Sequence, residues 1–110
     1  MNKIEQAVIY NKILGSLACA GMGDALGAAT ELYSIDEIKA QWGGFLNAFV
    51  SPPADTFAGS LNGIAGLITD DSSQMYVFSE GLIEAGFDNF TNNDWLACLL
   101  RWADMQPYAN

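Results

Sequence analysis

Apolar positions along the chain recur at helical spacing, and no segment alternates as a strand would. Ile4, Ala7, Val8, Ile13, Leu14 and Leu17 fall near one stripe of a first helix that the pattern carries from about Ile4 to Ala29. Gly15, Ser16, Ala18, Ala20, Gly21, Gly23, Gly27 and Ala28 fill the same stretch with small residues. Each glycine costs a helix about 1 kcal/mol relative to alanine. Close approach of neighbouring helices is the expected compensation, which makes this a buried helix of a multi-helix bundle. Ser34-Ile35-Asp36-Glu37 then has the serine-to-glutamate spacing of a capping box, predicting a short helix to Trp42 that Gly43-Gly44 ends.

Residues 45 to 68 show no period. Pro52, Pro53, Gly59, Gly63 and Gly66 mark them as a long loop, and an irregular stretch longer than about 15 residues is often functional. A second strong helix is predicted from near Asp71 to Ala85, with Met75, Phe78, Leu82 and Ile83 as its apolar face and Gly86 as its stop. A third follows Thr91-Asn92-Asn93-Asp94. Its stripe is Trp95, Cys98, Leu99 and Trp102, and Pro107 is its expected end. With no repeat, linker or low-complexity tract, the reading is all-α.

Composition narrows the partners. With 51% hydrophobic residues the chain can offset its ordering entropy, so it folds. A mean hydropathy of +0.16 is high for so small a domain and implies apolar surface that expects a partner or self-association. Four basic and thirteen acidic residues give a net charge of −9, which argues against a nucleic-acid binder and against an anionic membrane surface. Two cysteines, Cys19 and Cys98, with no CxxC pair and no histidine, exclude a cysteine–histidine pair and argue against structural zinc. Both are expected to pack in cores, and the reducing cytoplasm is the natural compartment. Lys12 before the apolar run Ile13 to Gly23, with Ala18-Cys19-Ala20, loosely mimics a secretory signal. That run is short and ends at Asp24, so a buried helix is preferred.

Two stretches carry chemistry. Gly23-Asp24-Ala25-Leu26-Gly27-Ala28-Ala29-Thr30-Glu31 closes the first helix, and Thr69-Asp70-Asp71-Ser72 opens the second strong one. Adjacent carboxylates repel and call for compensating charge, part of which a helix amino terminus supplies. One reading makes Thr69 or Asp70 an N-cap with Asp71 in the first turn. The other is a hard-cation site, since magnesium takes oxygen ligands and keeps several waters. At a cap the backbone is not yet helical, so neighbouring ligands can converge there. For Glu31 the plainer reading is a solvated helix end, and for Asp24 a local hydrogen bond.

Together and in this order, the Gly-Asp-Ala-Leu-Gly and Thr-Asp-Asp-Ser elements resemble the start of the ADP-ribosylglycohydrolase family, over roughly Lys12 to Gly86 and more loosely through the Trp95 helix. The resemblance implies an all-α orthogonal bundle around two magnesium ions. It also implies hydrolysis of the glycosidic bond that links ADP-ribose to a modified protein side chain or a small molecule. Thr69, Asp70 and Asp71 match the family's first metal-ligand triplet. Glu31 matches an acidic residue near the metals, so Glu31 and Asp71 become the catalytic candidates, Asp24 a supporting one, and Ser72 the small hydroxyl residue that often follows the triplet. The family's late Asp-x-Asp motif followed by Ser or Thr is absent here; after Glu84 the acidic residues are Asp88, Asp94 and Asp104. Residues 1–110 are therefore expected to be the amino-terminal portion of one such domain, with the carboxy-terminal part missing. Such a chain is expected to be inactive or nearly so alone and to expose apolar faces that include Leu99 and Trp102. The competing reading is a non-catalytic helical binding fragment.

Overall fold

A computed structural model of the chain describes residues 1–60 and 63–105. Among them helices are the regular structure and no strand occurs. The helices are α1 (Lys3–Gly27), α2 (Ile35–Trp42), α3 (Phe57–Ser60), α4 (Asp70–Ala85) and α5 (Asn92–Ala103), with a 3₁₀ turn over Phe87–Asn89. The chain divides into two compact units, Met1–Ile68 and Thr69–Asn110.

In the first unit, α1 opens on a reciprocal capping box that the sequence reading did not single out. The Asn2 side chain accepts from the amides of Ile4 and Glu5, and Glu5 accepts from the Asn2 amide at 2.9 Å. The α2 box is as expected: the Ser34 amide donates to Glu37 at 2.7 Å, and the helix stops at Gly43, whose φ of 75° suits glycine. The loop expected over residues 45 to 68 contains one short helix, α3. It is held by Thr56, whose hydroxyl donates to the Pro53 carbonyl at 2.7 Å and accepts from the Gly59 amide at 3.1 Å. A Cβ at Gly59 would overlap the Pro53 carbonyl, which is why glycine stands there.

The buried-helix expectation for α1 is corrected. Only Gly21 and Ala25 are buried within it, while Ile4, Val8, Ile13 and Leu14 are exposed. A Cβ added at Gly15, Gly23 or Gly27 would meet nothing within 4 Å, so these glycines do not serve close helix approach. Within Met1–Ile68 no second described helix packs along α1. Cys19 is likewise exposed rather than a core residue, whereas Cys98 is buried as expected.

In the second unit α4 and α5 form a helical hairpin. They meet through Ser73 with Trp102 and Gly81 with Cys98. The face α4 buries is not the large apolar one expected. Met75, Phe78 and Leu82 are half-buried and Ile83 is exposed. Ser72, Ser73, Val77 and Gly81 are the buried residues, and Ser73, Val77 and Gly81 follow one another at a spacing of four. Small side chains let α5 approach, and helices that meet this closely gain contact over their whole shared length. Phe78 stacks on Trp95 with ring centroids 4.0 Å apart. Leu99 and Trp102, expected to be exposed, are half-buried, because the hairpin itself covers them; Leu96 and Leu100 are exposed instead. Helix α5 ends at Ala103, before Pro107, which lies outside the described residues.

Candidate functional site

The Thr69-Asp70-Asp71 segment stands where irregular chain becomes helix α4. Thr69 occupies the N-cap position with an extended backbone (φ −100°, ψ −163°), and its side chain makes no capping hydrogen bond. Helices α1, α2 and α5 each begin on a complete capping box, at Asn2, Ser34 and Thr91. The simple cap reading of Thr69 therefore lacks its hydrogen bond. Asp70 and Asp71 occupy the first turn, Asp70 half-buried and Asp71 exposed, where the helix dipole favours their charge.

The charge around them is one-sided. The unit Thr69–Asn110 holds seven acidic residues and one cation, Arg101. Arg101 is paired with Glu80 and with Glu84, the latter at 3.3 Å. Among the described residues, Asp70 and Asp71 have no ion-pair partner. Behind them Ser72 and Ser73 are buried, at 3% and 4% exposure. The Ser73 hydroxyl donates to the Asp70 carbonyl at 3.2 Å and accepts from the Trp102 indole N–H at 2.9 Å. No sequence pattern foretold this contact; the four-residue spacing of Ser73, Val77 and Gly81 was the available hint.

The donor set is chemically right for a hard divalent cation: two carboxylates and a hydroxyl, all oxygen. It is also incomplete. Among the described residues no three Asp, Glu or Cys side chains gather as a metal cluster. Magnesium's near-octahedral shell would draw its remaining ligands from water, substrate or residues outside this segment.

Glu31 belongs to the other unit. It lies exposed in the turn that follows α1, beside Leu32, whose φ of 66° is unusual for a bulky residue and costs roughly 1–2 kcal/mol. Strained backbone of this kind concentrates at functional sites. Asp24 is half-buried within α1. Close by, the Tyr33 hydroxyl donates to Asp55 at 2.9 Å, and this bond to a carboxylate raises the phenol above its ordinary value.

A shallow groove of about 270 Å³ lies between α4 and α5, lined by Gly81, Glu84, Asp94, Cys98 and Arg101. It sits toward the turn joining the two helices, remote from Asp70. Among the described residues no helix is long and apolar enough to cross a membrane.

Comparison with curated proteins and with solved structures gave no match. The family model described as ADP-ribosylglycohydrolase matches residues 5–110, which takes in both the glycine-rich end of α1 and the start of α4. The match covers nearly the whole sequence and agrees with the all-helical architecture. The chain belongs to the ADP-ribosylglycohydrolase family.

Proposed function

We propose that the chain contributes to magnesium-dependent hydrolysis of the glycosidic bond between ADP-ribose and a modified protein side chain or small molecule. The observation that carries this reading is the start of α4, where Thr69 stands at the N-cap with an extended backbone and Asp70 and Asp71 follow in the first turn. Thr69, Asp70 and Asp71 would hold magnesium, of which the complete site takes two ions. When bound, the metal supplies Lewis acidity and orientation for the ribose hydroxyls. Hydrolysis builds positive charge at the anomeric carbon. The Asp71 carboxylate is proposed to take the proton of the attacking water, and Glu31 stands as the second catalytic candidate on the family resemblance alone. Ser72 and Ser73, which follow the triplet, are small and buried, and the Ser73 hydroxyl donates to the Asp70 carbonyl.

A second reading is a helical binding module without turnover. It is favoured by the absence, among the described residues, of a third acidic group converging on the pair. In either case α1 exposes Ile4, Ile13 and Leu14, apolar side chains suited to a protein partner or a second copy of the chain.

Release of free ADP-ribose from ADP-ribosyl-arginine and ADP-ribosyl-serine peptides separates these readings. The hydrolase reading expects turnover, slight for residues 1–110 alone, that chelation and Asp70→Asn both abolish. Turnover that survives both contradicts the metal assignment. Saturable magnesium binding without turnover favours the binding module.

A further inference from the structure

We propose that Trp102 is a positioning residue for the carboxylates at the start of α4, acting from α5 through the hydroxyl of Ser73; the inference rests on the reading of Thr69, Asp70 and Asp71 as magnesium ligands.

The direction of the relay follows from the donor inventory. An indole N–H can only donate, so at 2.9 Å the Ser73 oxygen must accept from Trp102. The single serine proton is then left for the Asp70 carbonyl, 3.2 Å away. Ser73 is 4% exposed, so little water competes for either bond. The Asp70 carbonyl belongs to the peptide joining Asp70 to Asp71. That peptide is planar, so holding its oxygen restrains the peptide and, with it, the positions of the Asp70 and Asp71 Cα atoms at its two ends.

The tether differs from the way the other long helices begin. The starts of α1, α2 and α5 are locked by reciprocal side-chain caps, whereas Thr69 makes no such bond. First turns fray unless something holds them. Trp102 is itself anchored in the hairpin by the contact of Gly81 with Cys98 and by the Phe78–Trp95 stack. Groups that orient metal ligands from outside the coordination shell typically change metal affinity by about tenfold to a hundredfold when removed.

The test compares the magnesium midpoint, read from thermal-shift titrations of the 110-residue chain, for wild type, Trp102→Phe, Ser73→Ala and the double variant. Phenylalanine keeps an aromatic ring and deletes the donor. Each single variant is expected to raise the midpoint about tenfold or more, and the double variant no further than the larger single effect. A lower melting temperature without magnesium but an unchanged midpoint would mean that Trp102 only packs, and would overturn the proposal. Additive shifts would overturn the route through Ser73. Absence of any magnesium response in wild type and Asp70→Asn alike would remove the metal reading, and this proposal with it. Should Trp102→Phe fail to fold, Trp42→Phe combined with Trp95→Phe leaves Trp102 as the remaining indole. Its emission is then expected to shift on adding magnesium, and to stop shifting once Ser73→Ala is added. No shift in the first case overturns the proposal.

Discussion

Gly81 on α4 faces the Cys98 thiol on α5 so closely that a Cβ at position 81 would collide with Sγ. Glycine inside a helix ordinarily costs stability, and here it is what lets the two helices meet. Cys98 is 6% exposed and its side chain has few helical rotamers to escape into.

Gly81→Ala is therefore expected to destabilise the α4–α5 unit. Overpacking costs roughly 1–3 kcal/mol and the gain in helix propensity returns up to about 1 kcal/mol, so a net loss of about 1–2 kcal/mol should appear in chemical denaturation. Adding Cys98→Ala makes room for the new methyl and should recover most of that loss. A stabilising Gly81→Ala would show that the helices do not approach as described.

Acid should loosen two helix starts. Ser34 and Thr91 donate to Glu37 and Asp94, side chain first and backbone second, and hold both carboxyls below the usual carboxylate range. A lowered folded-state value means stability that is fully present above the unfolded-state value and lost as pH falls through the folded one. Helix content is thus expected to decline below about pH 4. Thr91→Ala should lower helix content near neutral pH and blunt the part of the acid-induced loss that belongs to α5. An acid profile identical to wild type would contradict the role given to this cap.

The exposed apolar side chains of α1 should drive association. Ile4 is 77% exposed, Ile13 56% and Leu14 51%, on a helix that no other described element of its unit covers. Sedimentation is expected to show concentration-dependent self-association that Ile13→Lys with Leu14→Lys reduces. A sharp, thermally stable monomer at all concentrations would contradict it.

The local features were legible in the sequence, and the tertiary ones less so. The Ser34–Glu37 box, the Gly43 stop and the Gly86 stop depend on neighbours within a turn, and each stands where its residues predict. The face that α4 buries depends on what packs against it. Large residues at Met75, Phe78, Leu82 and Ile83 drew attention from Ser73, Val77 and Gly81, whose small size is what admits α5. The glycines of α1 misled for the same reason, since smallness permits close approach without requiring it. For the candidate site, the letters Thr69-Asp70-Asp71 and the start of a helix could be read directly. The Trp102–Ser73–Asp70 contact joins residues 29 positions apart and could not.

Calorimetric titration of the chain with magnesium, alongside Asp70→Asn and Asp71→Asn, tests the central claim most directly. A saturable heat in wild type that either substitution removes or weakens at least tenfold is the expected result. Identical isotherms for all three proteins would contradict the assignment of these residues as ligands.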